Sequence, residues 1–314
     1  SWTGSLPCDF NDTVTLGTYT QKLDGYVTIV CWVNTPNNAY DSTTYDDTLM
    51  IIAYGCSNLL SGVYTIGPDT SYDFQSMDEA MFNLTHCGLA GNTEFQLASG
   101  IIDTIAWDFT DLANYVGNYH ITFSGMGNVV TLGNAKHLIF KNLTFDASYA
   151  GERTVEIKTG CEDILFSHCH LKGFEINSTT NSAAVVYAYA SGLNNIRFVG
   201  NYIEGGDYGV YFNGTNTNIV MDSNYIENSY YYPFYSYQTQ IQFTHNTIYE
   251  VPGNTYFYGS TFYYAHNSRI DGNHIQTNGM ANYQYAMRFY YCDSTTMVCN
   301  NEIILQNNMY SSYG

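Results

Sequence analysis

Apolar residues recur along the second half of the chain as a short strand, a turn and a second short strand. In the fullest repeats an aliphatic residue is followed two positions later by an aromatic one, then by asparagine after three more and isoleucine after two more, as in Ile196–Ile203. A period of 22–32 residues predicts a stacked repeat architecture, and short β-branched and aromatic strands predict a solenoid of parallel strands. The repeats begin at Leu138, Ile164, Ile196, Ile219, Ile241, Ile270 and Val298.

The first 60 residues do not follow this repeat. Val14–Tyr19, Tyr26–Val33 and Leu49–Tyr54 are predicted strands, so residues 1–60 form a small β-rich N-terminal segment and residues 61–314 form the solenoid. Ser76 followed by Glu79 is a capping-box signature before an apolar-periodic stretch, which predicts a helix ending near Cys87. We expect this helix to cap roughly nine or ten rungs of a β-helix, since an open solenoid end must be covered.

One column of the aligned repeats is polar and invariant. An inward asparagine at the same corner of successive rungs can bond to its neighbours above and below and can satisfy backbone groups at the bend. We therefore expect a structural ladder rather than a ligand site, made of Asn201, Asn224, Asn246, Asn273 and Asn301.

With these columns drawn, the chain resembles the right-handed parallel β-helix proteins, the pectate-lyase-like group with asparagine ladders. A narrower resemblance lies in Leu60–Gly67, Asp73–Phe74, Leu84–Gly91 and Ser99–Gly100, a series similar to the opening of β-helix domains in large secreted surface proteins of Bacteroidota. The resemblance covers about residues 56–308 and implies a domain of a long exported chain. It implies a location at the cell surface more than a mechanism.

Charge and composition exclude several partners. A formal charge of −19 with only nine basic residues argues against nucleic acid and against an anionic membrane surface. The sequence contains no run of 18 or more apolar residues, so it predicts no membrane span. Charged residues are only 12% of the chain while tyrosine occupies 32 positions, a composition typical of extracellular β-proteins.

Eight cysteines in an acidic chain favour an oxidising compartment. Cys161 and Cys169 flank one strand, too far apart for a bridge, so we expect both to be unpaired and buried. Three bridges are hypotheses without a fixed connectivity, namely Cys8 with Cys31, Cys56 with Cys87, and Cys292 with Cys299 across a local turn.

Five tripeptides resemble the O-glycosylation signal of Bacteroidota, which is Asp, then Ser or Thr, then an aliphatic residue or Thr. Composition predicts roughly one such match by chance. The same tripeptides also make turns, because Asp bonds to the backbone two residues on. Modification and turn formation both stay open for Thr13, Ser42, Thr48, Thr104 and Ser294.

Tyrosines give the strongest functional signal. The strands before each corner align as a second sheet, and alternation sends Phe212 and Phe234 into the core and other aromatics outward. Exposed tyrosine rows can bind sugars or proteins, and they can also simply stabilise the sheet through cross-strand pairs. The predicted ligand-binding residues are Tyr211, Tyr235, Tyr237 and Tyr290.

Catalytic candidates are fewer. The column after the corner reads Asp146, Lys172, Glu204, Glu227, and adjacent rungs place the two glutamates about 5 Å apart, the separation a retaining glycosidase uses. A surface charge ladder, with Lys172 bridging Asp146 and Glu204, is the favoured explanation of the column, because no groove or splitting of the two pKa values is visible in the sequence. A lyase would need a base such as Arg197 together with acidic calcium ligands.

The sequence names no metal ligands. His168-Cys169-His170 resembles a metal triplet, but alternation along a strand would send Cys169 to the face opposite both histidines. We expect no cofactor, with calcium entering only under the lyase alternative.

Two functions follow from these patterns. The first is an extracellular or cell-surface structural or adhesive module, part of a longer secreted protein or filament, whose tyrosine face binds a glycan, a surface protein or a second copy of the chain. The second is a polysaccharide lyase or glycoside hydrolase acting on an extracellular polysaccharide. The fold supports both classes of function, so it cannot choose between them.

Overall fold

The computed structural model describes residues 25–32, 48–56, 58–98, 107–109, 118–126, 129–147, 149–175, 177–250, 256–278, 281, 283–306 and 311–313. The chain divides into two compact units, Ser1–Leu59 and Leu60–Gly314. Cys8, Thr13, Val14–Tyr19, Ser42 and Thr104, all named by the sequence analysis, lie outside the described residues.

In the first unit, β1 (Gly25–Trp32) and β2 (Thr48–Gly55) form an antiparallel pair. Tyr26 faces Tyr54 across the pair, and their rings meet edge to face at 5.2 Å between centroids. Cross-strand aromatic pairs of this kind are a normal source of sheet stability.

The second unit contains one helix and a long series of short strands. Its first elements are β3 (Leu60–Ile66), α1 (Met77–Cys87), β4 (Leu89–Leu97), β5 (Trp107–Asp108), β6 (Ile121–Met126), β7 (Val130–Leu132), β8 (Lys136–Asp146), β9 (Val155–Ile157), β10 (Glu162–Ser167) and β11 (His170–Lys172). Then come β12 (Val186–Tyr189), β13 (Asn194–Val199), β14 (Tyr202–Glu204), β15 (Tyr208–Asp222), β16 (Tyr225–Glu227), β17 (Tyr232–Thr244) and β18 (Thr247–Tyr249). The last are β19 (Tyr256–Phe257), β20 (Ser260–Tyr263), β21 (Arg269–Asp271), β22 (His274–Gln276), β23 (Tyr283–Tyr285), β24 (Met287–Tyr290), β25 (Met297–Cys299), β26 (Glu302–Ile304) and β27 (Ser311–Tyr313).

These strands stack in parallel, one rung on the next, as a β-helix of about eight turns, slightly fewer than the sequence suggested. Sheet I contains β3, β4, β6, the start of β8, β10, β13, the ends of β15 and β17, β21 and β25. Sheet II contains β5, β7, β9, β12, the starts of β15 and β17, β20 and β24. Sheet III contains the end of β8, β11, β14, β16, β18, β22 and β26. Within a rung the chain passes from sheet II through sheet I to sheet III, and β19, β23 and β27 form a short separate parallel sheet.

A column of phenylalanine rings fills the interior behind sheet I. Phe95, Phe123, Phe140, Phe166 and Phe198 are fully buried, and successive ring centroids lie 5.4, 5.7, 4.6 and 4.8 Å apart. Each ring pair adds about 0.5–1.5 kcal/mol beyond the burial of its surface. Identical residues at identical places in successive rungs therefore fix the register of the stack.

Helix α1 has the predicted cap. The Ser76 hydroxyl accepts a hydrogen bond from the Glu79 backbone N–H at 3.1 Å, and the Glu79 carboxylate accepts one from the Gln75 N–H at 2.7 Å. Met77, Ala80 and Leu84 form its buried face, which packs on β3. The helix ends at Gly88, whose φ of +76° suits a residue without a side chain.

The asparagine column forms a continuous hydrogen-bonded ladder. The side chain of Asn224 donates to the Phe198 carbonyl and to the Asn246 side-chain oxygen, both at 2.9 Å, and that oxygen also accepts from the Asn224 backbone N–H at 3.0 Å. Every polar atom at this buried corner therefore has a partner. The same pattern runs through Asn201, Asn224, Asn246, Asn273 and Asn301.

The residue before each ladder position has left-handed backbone geometry. These residues have φ between +53° and +66°, which turns the chain from sheet I into sheet III within two residues. His168 and His245 occupy this position, and the rungs stacked on them have glycine there, at Gly200 and Gly272, where an added Cβ would lie within 3.1 Å of the imidazole below. The full column is Asn142, His168, Gly200, Ser223, His245, Gly272 and Asn300.

This turn corrects the argument about His168-Cys169-His170. β10 ends at Ser167 and β11 begins at His170, so His168 and Cys169 form a corner between two strands and the alternation of a single strand does not run through the triplet. Cys169 is buried at the ladder position, where its N–H donates to Asn201 at 2.8 Å.

The cysteines follow the sequence analysis only in part. Cys56 and Cys87 are disulfide-bonded. Cys31, Cys292 and Cys299 are free, so the predicted bridges from Cys8 to Cys31 and from Cys292 to Cys299 are wrong. Cys292 and Cys299 instead bond to neighbouring rungs, through the Phe262 carbonyl and the Asp271 carboxylate.

Cys161 and Cys169 are unpaired and buried, as predicted. Burial raises the pKa of each thiol from 9.0 to about 11, so both stay protonated at neutral pH. They behave as small apolar residues of the core.

Candidate functional site

The outer face of sheet II carries a stack of tyrosines. Alternation along β12, β15 and β17 turns every second side chain outward, and parallel pairing places Tyr187 opposite Tyr211 and Tyr211 opposite Tyr235. The stack continues through Tyr263 to Tyr290 in β20 and β24. We call these five residues the tyrosine stack.

The rings lie face to face within two groups, Tyr187–Tyr211–Tyr235 and Tyr263–Tyr290, and the planes of Tyr235 and Tyr263 are tilted by 43°. Tyr187, Tyr211 and Tyr235 are 5.3 and 5.1 Å apart between centroids with planes within 8° of parallel, and Tyr263 lies 4.5 Å from Tyr290. The stack moves sideways between Tyr235 and Tyr263, at 5.7 Å, because β20 places Thr261 opposite Tyr235. A face-to-face stack hides its ring faces and presents ring edges and hydroxyl groups to solvent. Sugar binding by stacking on those faces is therefore blocked within it.

A second layer of tyrosines covers the middle of the stack. Tyr208 meets Tyr211 edge to face at 5.4 Å, and Tyr231 and Tyr232 pack beside it. Tyr211 is consequently only 8% exposed, so the expectation that it faces solvent is wrong. Outward orientation in the strand pattern did not mean exposure, because Tyr208 and Tyr232, the first residues of β15 and β17, and the adjoining Tyr231 pack over this ring.

The other predicted tyrosines are more accessible. Tyr235 and Tyr237 are half-buried, while Tyr290 is 36% exposed and Tyr291 is 75% exposed. Tyr237 contacts Tyr263 at 6.3 Å and so lies at the edge of the stack. Ligand binding by these residues stays a prediction.

Arg288 lies among the tyrosines at the end of the surface. Its guanidinium carbon is 4.1 Å from the centroid of Tyr258 and 5.0 Å from that of Tyr285, and it donates to the Tyr232 hydroxyl at 2.7 Å. A further bond of 3.1 Å reaches the Thr261 hydroxyl. Within the described part of the chain no carboxylate pairs with Arg288, so its positive charge is held by rings and hydroxyls alone.

Arg153 caps the opposite end of the stack. Its guanidinium lies 3.4 Å from the centroid of Tyr187, and it also pairs with Glu156. The outer face of the first ring is therefore covered by a cation. This end of the stack is neutralised, whereas the end at Arg288 is not.

Burial raises the pKa of three phenols in this surface. Burial raises the pKa of Tyr231 to about 12, with nearby phenols adding to the shift, and the pKa values of Tyr208 and Tyr235 are also raised by burial. Their hydroxyl groups can therefore donate hydrogen bonds over the whole physiological range of pH.

The predicted carboxylate column lies on sheet III. Glu204 pairs with Glu227 in register, as expected, but Lys172 pairs with Asp146 at 3.4 Å while Glu204 lies 3.1 Å from His170 Nε2. Of the two predicted contacts of Lys172, the one with Asp146 is therefore present, whereas Glu204 contacts His170 instead. His170 and Glu204 are close enough for an ion pair, although the atoms are not aligned for a hydrogen bond.

Two tyrosines tie this column together. Tyr202 donates to Glu227 and stacks on His170 at 4.7 Å, and Tyr225 donates to the other Glu227 oxygen at 3.1 Å. Burial, together with hydrogen bonds to Glu227 and Glu204, raises the pKa of Tyr202. The arrangement gives Glu227 two phenol donors and Glu204 an imidazole neighbour, which places the two carboxyl groups in different surroundings.

Arg197 does not join the two glutamates. It lies on sheet I and pairs with Asp163 Oδ1 at 3.3 Å. Asp163 in turn accepts from His120 Nε2 and His137 Nδ1, both at 2.8 Å from Oδ2. Partial burial alone would raise the pKa of Asp163, but these imidazole hydrogen bonds outweigh it and the pKa is lowered.

The sequence analysis missed this group of His120, His137 and Asp163. Each residue stands directly before the first core residue of a sheet I strand, namely Ile121, Leu138 and Ile164, which pair in register. Aligning the position before the core residue would have shown the column. The repeat pattern described above starts at the core residue itself and so does not include the position before it.

Of the predicted glycosylation sites, Thr48 and Ser294 are described, and both are exposed. Asp293 accepts from the Thr295 N–H at 2.9 Å, so the tripeptide around Ser294 forms a turn. Modification at either site stays a prediction.

No helix of the described chain is long and apolar enough to cross a membrane.

Residues 146–313, more than half of the chain, match the family model described as periplasmic copper-binding protein (NosD). No curated protein sequence matches the chain. Among solved structures, the A-module of mannuronan C-5 epimerase AlgE4 from Azotobacter vinelandii is 10% identical, covering 72% of this chain and 83% of that chain with a TM-score of 0.20. A likeness this weak carries no argument about function.

Proposed function

This chain belongs to the NosD family, and we propose that it is a non-catalytic β-helix module that works in the periplasm or outside the cell and binds an anionic glycan across its tyrosine surface. The tyrosine surface comprises the tyrosine stack with Tyr208, Tyr231, Tyr232, Tyr258 and Arg288. A protein partner, including a second copy of the chain, is the alternative occupant.

The observation that carries the proposal is that Arg288 lies among tyrosine rings and hydroxyls and pairs with no carboxylate of the described residues. The chain has a net charge of −19, so an unpaired guanidinium on an otherwise neutral surface is the local attraction for an anion. Guanidinium forks bind carboxylates through paired hydrogen bonds. The adjoining phenol edges supply donors and acceptors for sugar hydroxyls.

The mode of contact differs from the one that exposed tyrosines usually suggest. Because the ring faces are stacked on one another, binding would depend on hydroxyl edges and on the charge of Arg288 rather than on apolar stacking. We therefore expect acidic polysaccharides to bind better than neutral ones, and the binding to weaken with salt.

The test is a binding titration of the chain with polygalacturonate, alginate and a neutral glucan at low and high salt. Arg288→Ala and Tyr290→Ala should each weaken binding to the acidic chains about tenfold or more, since each removes a charged or edge-on contact at the exposed end of the surface. Tyr225→Ala is the matched control, because Tyr225 is similarly exposed but lies on sheet III. Equal loss in all three variants, or no binding to any acidic glycan, would contradict the proposal.

A polysaccharide-cleaving enzyme is a second candidate, favoured by the unequal surroundings of Glu204 and Glu227. Such asymmetry is what separates an acid from a nucleophile in glycosidases. The test is release of reducing ends or of unsaturated products from the same polysaccharides. Glu204→Gln and Glu227→Gln should abolish such release while leaving glycan binding at Arg288 intact; full activity in both variants would exclude these residues.

The NosD description also names copper. Imidazole nitrogen is a good ligand for copper and zinc. Among the described residues, His120, His137 and Asp163 form a group whose donor atoms converge, so the chain's own residues fit such an ion. The glycan proposal does not depend on a metal.

A further inference from the structure

His120, His137 and Asp163 converge from three successive rungs of sheet I. Their donor atoms, two imidazole nitrogens and one carboxylate oxygen, all lie within 4.8 Å of one another. The side chains of His120, His137 and Asp163 are 37%, 24% and 17% exposed, so solvent reaches the group although each side chain is partly buried. We propose that these residues form a binding site for one divalent transition-metal ion of the Cu²⁺ or Zn²⁺ type.

The geometry of Asp163 is the first support. One oxygen, Oδ2, faces both imidazole nitrogens at 2.8 Å, while the other, Oδ1, accepts from Asn195 at 2.7 Å and from Arg197 at 3.3 Å. A carboxylate that ligates a metal is held in this way, with its second oxygen fixed by hydrogen bonds. With Oδ1 anchored, Oδ2 and the two imidazole nitrogens that donate to it are held together, and a bound ion would replace the two hydrogen bonds between them.

The backbone supplies the second support. His137 and Asp163 have φ of +57° and +54°, as does Asn195 at +55° in the next rung. This left-handed geometry, repeated in stacked strands, aims equivalent side chains along one line outside the sheet. The Asn92 side chain fixes the third ligand, because it accepts from the His120 N–H at 2.9 Å.

The spacing is close to that of a bound ion. With bonds of about 2.0–2.1 Å, a tetrahedral ion holds its ligand atoms roughly 3.3 Å apart. The two contacts of 2.8 Å from Asp163 Oδ2 are shorter than this by roughly 0.5 Å, so the imidazole nitrogens would have to move slightly away from the carboxylate to admit an ion. Three protein ligands with a solvent side match an open site that keeps at least one position for water or a further ligand.

The donor set also selects among metals. Two nitrogens and one oxygen suit Cu²⁺ and Zn²⁺, whereas Ca²⁺ takes six to eight oxygens and is not expected to bind here. Arg197, which faces Asp163, adds a positive charge beside the ion and limits affinity. Two of the three ligands precede residue 146, so the site rests on its own geometry and not on the family match.

The experiment is a titration of the 314-residue chain with Cu²⁺ and, separately, with Zn²⁺ in competition with a chromophoric chelator. We expect one ion per chain, competition between the two metals, and a Cu²⁺ electron paramagnetic resonance spectrum with nitrogen couplings from two imidazoles. His120→Ala and His137→Ala should each weaken binding at least tenfold and remove one nitrogen coupling. Asn195→Gly, which keeps the left-handed backbone but loses the bond to Asp163, should weaken it about tenfold.

His245→Ala is the matched control. His245 also contacts a carboxylate, Asp222 at 2.9 Å, but no second histidine in the described part of the chain joins that carboxylate in a group of metal-ligating residues. Circular dichroism and thermal unfolding of every variant separate lost ligands from lost folding. Wild-type affinity in the double variant His120→Ala/His137→Ala, or an equal loss in His245→Ala, would overturn the proposal, as would a spectrum without imidazole nitrogen.

Discussion

The asparagine ladder and the tyrosine stack are built by the same rule, since each repeats one side chain at one position of successive rungs. They differ in whether the repeated side chains use up each other's hydrogen-bonding groups. In the ladder, each buried amide completes the hydrogen bonds of its neighbours, so nothing remains to bind a ligand. In the stack, repetition covers ring faces and leaves ring edges on the outside, where Tyr290 is 36% exposed, so the surface retains capacity for a partner.

An outward orientation in the strand alternation is therefore not enough to identify a binding residue. Tyr211 and Tyr290 both point outward, yet Tyr211 is covered by Tyr208 and only Tyr290 reaches solvent. Tyr211 therefore belongs with the structural residues of the ladder, and Tyr290 with the candidate contact residues.

The largest effect is expected from breaking the ladder. Asn224→Ala leaves the buried Asn201 N–H and the Phe198 carbonyl without partners, each costing about 1–3 kcal/mol, so the free energy of unfolding should fall by about 3 kcal/mol or more. Denaturant unfolding measures this loss. Asn218→Gly is the control, because Asn218 is exposed with φ of +54° and should lose less than about 0.5 kcal/mol. Similar losses in both variants would mean that the ladder is not the stabilising element.

A smaller loss is expected inside the tyrosine stack. Tyr211→Ala removes a nearly buried ring that contacts rings above and below it, which should lower the free energy of unfolding by about 2 kcal/mol. Tyr189→Ala, at a site 64% exposed, should change it by less than about 0.5 kcal/mol. If Tyr211→Ala proved as mild as Tyr189→Ala, the covering layer would not be part of the folded core.

Alkaline pH should weaken the core at the base of the ladder. The folded pKa of the Cys169 thiol is raised from 9.0 to about 11, so the folded state holds a proton that the unfolded chain releases above pH 9. Stability is therefore unaffected below pH 9 and falls as pH rises from 9 towards 11, by about 1 kcal/mol between pH 9 and pH 10 for this thiol. Cys169→Ala should have a shallower pH dependence in denaturant unfolding measured over this range. An unchanged slope would contradict the assignment.

The smallest effect on stability, with a clear effect on binding, is expected at the edge of the stack. Tyr290→Phe keeps the ring that stacks on Tyr263 and removes only the hydroxyl, so unfolding should change by less than about 0.5 kcal/mol. Affinity for an acidic glycan should nevertheless fall several-fold if hydroxyl edges make the contact. Unchanged affinity would favour ring-face contact at the terminal tyrosine instead.

The sequence predicted the regular part of the molecule well. The parallel β-helix, helix α1 and the ladder follow from local periodicity and from capping residues, and pairing between rungs repeats these local signals. The expectation that one strand alternation runs through His168–His170 was wrong, because composition does not indicate that His168 adopts left-handed geometry and interrupts the strand at the corner.

The candidate sites were harder to predict because they depend on contacts between residues far apart in the chain. The cover over Tyr211 comes from Tyr208 and Tyr232 at the starts of β15 and β17, where the repeat pattern does not indicate how the side chain packs. The group of His120, His137 and Asp163 needs three rungs in exact register, with residues up to 43 positions apart. An assignment to Bacteroidota and to the cell surface stays a prediction.

Hydroxyl-radical footprinting of the chain, with and without saturating alginate, tests the central claim most directly because it reads every tyrosine in one experiment. The account predicts protection of Tyr263 and Tyr290 on sheet II, with Tyr202 and Tyr225 on sheet III unchanged. Protection confined to Tyr202 and Tyr225 would contradict it and would place the glycan at Glu204 and Glu227. Absence of protection at any tyrosine would show that the tyrosine surface does not contact this glycan.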